Sequence, residues 1–83
     1  MHHKFEAMEP KTEFGKWLYV NMVEHECTCA DVAKKLYVTR QTVSFHISGR
    51  VMPNYPFVIA YCSIFGGNPE EIWKLVLLER GWS

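Results

Sequence analysis

Two threonines, Thr28 and Thr39, each stand ahead of a short amphipathic segment, and their spacing constrains this chain more than any other feature. A threonine hydroxyl accepts a hydrogen bond from a first-turn amide and so satisfies a donor that a helix start leaves open. Thr28-Cys29-Ala30-Asp31 reads as a capping box, with a short carboxylate in place of the usual Glu or Gln. The helix it opens, residues 29–36, has room for about two turns before a break at Tyr37-Val38. Thr39 then caps a second helix over residues 39–48, which Gly49 closes in a left-handed conformation. Helices this short do not hold alone in water and must be packed by the rest of the chain.

The rest of the chain supplies that packing. Residues 13–25 predict a helix whose Phe14, Leu18 and Met22 recur at four-residue spacing. Trp17 flanks that face, and Tyr19, Val20 and Val23 widen it. Gly15, near its start, costs about 1 kcal/mol against Ala. Residues 50–55 form a loop with Pro53 and Asn54. A fourth helix spans 57–65, with Pro56 in its first turn and Gly66-Gly67 as its stop. Asn68-Pro69-Glu70-Glu71 combines a cap, a first-turn proline and two acids, so a fifth helix starts there and runs to about Arg80, before Gly81. No strand pattern is present. The expectation is one all-α domain of five helices over residues 12–83, with residues 1–11 as a tail or arm. An 83-residue chain has room for a single domain.

Three cysteines, an odd count, argue against a disulfide framework. No apolar run approaches the roughly 18 residues of a membrane span, and the N-terminus lacks an apolar signal core, so a cytoplasmic protein is expected. Met8 is an alternative start. His25, Cys27 and Cys29 do not have zinc-site spacing, and His2-His3 is too short a tract, so no metal or other cofactor is expected. Cys27 reads as a small core residue and His46 as a packed, hydrogen-bonded histidine. No nucleophile stands in a recognisable arrangement with a base, which argues against an enzyme.

Net charge is zero, but its distribution is uneven. All nine acidic residues fall within residues 6–31 or 70–79. Residues 32–69 hold none, yet contain Lys34, Lys35, Arg40 and Arg50. Such asymmetry inside one domain marks a face for polyanions. It coincides with the two short helices. Val32, Leu36, Val38, Val43 and Ile47 anchor them, Ala33 allows them to approach, and Arg40, Gln41 and Ser44 cover the outer face of the second.

Residues 28–53, TCADVAKKLYVTRQTVSFHISGRVMP, resemble the phage-repressor (Cro/XRE-type) helix-turn-helix family. The residues that carry the resemblance are Ala33, Leu36-x-Val38-Thr39, Arg40-Gln41-Thr42-Val43-Ser44 and Gly49-Arg50. The flanking helices match the family's five-helix layout, so the resemblance covers about residues 13–80. It implies a lambda-repressor-like fold and a small transcriptional regulator, usually a homodimer on a palindromic operator. Two positions depart from the pattern. Tyr37 stands where the family often has glycine, and Phe45 stands where a polar residue is common.

Site expectations follow from this reading. Arg40 pairs with a guanine edge or clamps a phosphate, Gln41 pairs with an adenine edge, and Ser44 needs a close approach. Phe45 contacts a thymine methyl or packs into the domain. Thr28, Lys34, Lys35, Thr39, Ser48, Arg50 and Asn54 are the expected phosphate contacts, although for each of the two threonines taken singly capping alone is the favoured role. Trp73, Leu77 and Trp82 add apolar surface beyond the core face of the fifth helix and are the expected dimer contact, unless Phe5 and Met8 fold over them. The alternative is a protein-binding module on the same fold, an antirepressor or the antitoxin of a toxin pair.

Overall fold

The computed structural model describes residues 10–79. Most of the expected tail, the end of the fifth helix at Arg80, and Trp82, Phe5 and Met8 lie outside those residues. Among the described residues the architecture is all-α: α1 (Glu13–Glu24), α2 (Cys29–Leu36), α3 (Arg40–Ser48), α4 (Tyr55–Phe65) and α5 (Pro69–Glu79).

Caps set most of the boundaries. Thr12 starts α1 by accepting the Gly15 amide at 2.9 Å. Thr28 and Asp31 form the expected reciprocal box at α2. Thr39 is the N-cap of α3, which begins at Arg40. The largest boundary difference from the sequence reading is at the start of α4. Asn54 belongs to no open loop, because its Oδ1 accepts the Phe57 amide at 3.1 Å and starts α4 at Tyr55.

The core is assembled from all five helices. Phe14, Leu18 and Met22 of α1 meet Val32 and Ala33 of α2, Val43 and Ile47 of α3, Val58, Tyr61, Cys62 and Phe65 of α4, and Val76 of α5. The broadened α1 face expected from Val20 and Val23 is not used: Val20 is 50% exposed, and Val23 is exposed as well. The buried residues of α1 are the four-spaced stripe and Gly15, with Trp17 and Tyr19 packed partly buried against the core. Cys27 is half-buried at the core's edge, not inside it.

Gly15 follows a different rule from helix propensity. A Cβ there would collide with the Ile47 carbonyl oxygen, so the glycine lets α1 and α3 cross in close contact. A second close approach lies at the far end of α3. Gly49 adopts φ 82°, and a Cβ on it would come within 2.6 Å of the Thr12 methyl. Together the two glycines press the start of α1 against the C-terminal half of α3. No helix among the described residues is long and apolar enough to cross a membrane.

Candidate nucleic-acid interface

The turn Tyr37-Val38-Thr39 sets the angle between α2 and α3. Tyr37 caps α2 in the left-handed region at φ 59°, and the Val38 amide bonds the Ala33 carbonyl at 3.0 Å. The position therefore needs the conformation that glycine adopts most easily, although tyrosine occupies it. Its side chain is 95% exposed.

This turn brings the N-terminus of α2 beside the outer face of α3. A shallow groove lies between them, lined by Thr28, Cys29, Ala30, Arg40, Gln41, Ser44 and Phe45. All four expected base-reading residues are in it, together with Thr28. No carboxylate lines it, and the Arg40 guanidinium supplies its positive charge. Cys29 and Ala30 were missed from sequence; only their place in the first turn after Thr28 signals them. Burial pushes the Cys29 thiol up, and Arg40 partly opposes that, so the groove wall carries a neutral thiol.

The expected phosphate contacts are distributed unevenly around this groove. Thr28 Oγ1 spends an acceptor on the Asp31 amide, which leaves its hydroxyl proton to donate. Thr39 is tied to Thr42 through both the Thr42 amide and the Thr42 hydroxyl. Ser48 already donates its hydroxyl to the Phe45 carbonyl at 3.3 Å. Lys34 and Lys35 line a separate hollow with Cys27 and Asp31, where the carboxylate offsets part of their charge. Asn54 caps α4, which occupies its carbonyl oxygen. Arg50 lies over the Phe45 ring, 5.3 Å from its centroid.

Behind the groove, α3 is pinned from within. His46 is 2% exposed, and its Nδ1 lies 2.7 Å from the Tyr61 hydroxyl of α4. Phe57 packs edge-on against the imidazole at 4.7 Å. Burial lowers the His46 pKa from 6.5 to about 4 and raises that of Tyr61, so both groups are neutral at pH 7. A packed, hydrogen-bonded histidine was expected at this position; its partner was not.

The expected dimer contact is partly occupied within the chain. Trp73 packs edge-on against Tyr55 at 5.5 Å, and both line a hollow with Leu77, Asn68, Glu70, Glu71 and Lys74. Leu78 beside it is 63% exposed. Among the described residues no three His, Cys, Asp or Glu side chains converge on a point where a metal ion would sit. No family model matches the chain, and no curated protein or solved structure matches it either.

Proposed function

We propose that this chain is a sequence-specific duplex-DNA-binding protein of the lambda-repressor-like, helix-turn-helix type, with α2 and α3 as the motif. In this reading it acts as a small transcriptional regulator and lays α3 in the major groove. The observation that carries the reading is the convergence of Arg40, Gln41, Ser44 and Phe45 on one acid-free groove beside the start of α2. An α-helix with its side chains is about 10–12 Å across, which suits a major groove about 12 Å wide. Arg40 and Gln41, on the first turn of α3, read base edges; Ser44 and Phe45 follow one turn on. Thr28 donates to a phosphate from the start of α2. A homodimer formed through the α5 surface on a palindromic operator completes the proposal.

Mobility-shift titration on operator and random duplexes tests it. Arg40→Ala should weaken operator binding by about 1–3 kcal/mol and relax one base position, while random-duplex affinity changes less. Equal losses on both duplexes would remove base reading from Arg40. Affinity for random duplex should also fall steeply with salt.

The second reading, a protein-binding module on the same fold, is favoured by the exposed Tyr37 ring and by the apolar Phe45 in the groove. It requires little affinity for duplex DNA at any salt concentration, so the same salt titration separates the two.

A further inference from the structure

A second concavity lies on the opposite end of α3 from the groove's Arg40. It is lined by Lys11, Ser48, Gly49 and Arg50. Its walls come from two parts of the chain far apart in sequence, the entry to α1 and the exit of α3. The Thr12–Gly49 contact holds them together, since only a residue without a Cβ lets the Thr12 methyl come that close. Lys11 and Arg50 are therefore neighbours by construction.

The electrostatics of this notch are unbalanced. Both cations are exposed and no carboxylate lines the notch. Two like charges across one hollow repel unless an anion lies between them. Ser48 offers no spare proton, because its hydroxyl is already donated to the Phe45 carbonyl. Binding in the notch therefore falls to the two side-chain cations.

Arg50 is also held from the other side. Its guanidinium lies over the face of Phe45, a residue of the base-facing groove. A cation over a ring face is attracted by the ring quadrupole, and the planar guanidinium keeps its edge donors free while stacked. Phe45 thus joins the groove to the notch.

We propose that Lys11 and Arg50 form a phosphodiester-binding notch that clamps one DNA strand beyond the C-terminal end of α3, with Phe45 as the positioning residue that holds Arg50 in it. This rests on the duplex-DNA reading above and extends it. Lys11 becomes a phosphate ligand, and Phe45 acts through Arg50 and not through a thymine methyl.

The test is a salt series of binding to operator and random duplexes with the full chain. Lys11→Ala and Arg50→Ala should each make the plot of log affinity against log salt shallower by about 0.9, with the operator-to-random ratio unchanged. Phe45→Leu should reproduce most of the Arg50→Ala loss and add little to it in the double variant. A methylphosphonate at the clamped phosphate should weaken binding of the starting protein several-fold and leave the Lys11→Ala, Arg50→Ala double variant almost unaffected. Circular dichroism melts check that each variant is folded at the assay temperature. An unchanged slope for Lys11→Ala overturns the notch and leaves DNA binding standing. Losses that add for Phe45→Leu and Arg50→Ala, with specificity relaxed at one base pair, return Phe45 to base reading. Absence of salt-dependent duplex binding by the starting protein overturns the DNA reading, and the notch with it.

Discussion

At the scale of single residues, Tyr37 and Gly15 show local preference and tertiary demand pulling apart in opposite senses. Tyr37 holds the left-handed φ of 59° that closes α2, while its ring is 95% exposed and packs against little. An L-residue pays about 1–2 kcal/mol for that conformation. Tyr37→Gly removes the penalty and sacrifices almost no burial, although glycine loses more entropy on folding. The variant should be more stable by about 1 kcal/mol, read as a higher urea midpoint with unchanged slope. A lower midpoint would mean that the tyrosine ring stabilises the turn. The conflict at Tyr37 was visible through the resemblance, which often places a glycine at that turn. Gly15 was not legible in this way. Propensity marks it as a weak point of α1, but its value lies in the Ile47 carbonyl that crosses it, a contact residues apart in sequence do not announce.

At the scale of helices, caps were the most legible signal, and partners across the core the least. Thr28, Thr39 and Asn68 each cap the helix expected from them. Asn54 was missed as a cap because Tyr55 reads as the end of the loop until the Phe57 amide is seen to reach back. The four groove residues of α3 were legible because a helix with anchored Val43 and Ile47 must turn its other face outward. The contact that fixes α3 on α4 was not, since nothing in the sequence pairs His46 with Tyr61. That contact has a pH signature. With its folded pKa lowered to about 4 from 6.5, neutral His46 contributes stability that is present above pH 6.5 and is lost as pH falls through about 4. The loss amounts to at most about 3 kcal/mol, because the unfolded chain takes up the proton that the core refuses. Urea midpoints at pH 7, 5 and 4 test this with His46→Gln as the reference. The variant should start lower at pH 7, where the Tyr61 hydroxyl has a poorer partner, and should then fall less towards pH 4. Parallel acid losses in the two proteins would assign the acid sensitivity to carboxylates elsewhere.

For the whole molecule, zero net charge concealed a division of labour that the order of residues preserves. The acid-free span from 32 to 69 builds α3, the α3 wall of its groove and the notch wall at Arg50. Of the acids outside that span, Glu70 and Glu71 stand at the start of α5 and share a hollow with Lys74, Tyr55, Trp73 and Leu77. That surface is where the proposed second copy of the chain would dock. In a two-fold contact each residue meets the other copy's equivalent patch, so Lys74 of one copy can lie against Glu70 or Glu71 of the other. The apolar rings and Leu77 supply the area, with Leu78 at the margin. The proposed dimer therefore has a test that leaves the proposed base-reading face untouched. Leu77→Glu adds an acid to both sides of the contact at a side chain only half-buried in the monomer. Sedimentation equilibrium at micromolar concentration should find the starting chain as a dimer and Leu77→Glu as a monomer. On a palindromic duplex the variant should lose affinity by orders of magnitude, yet bind a single half-site as well as before, because linked half-sites add their energies only through the dimer. A starting chain that sediments as a monomer throughout would end the dimer proposal and leave α3 to act on one half-site alone.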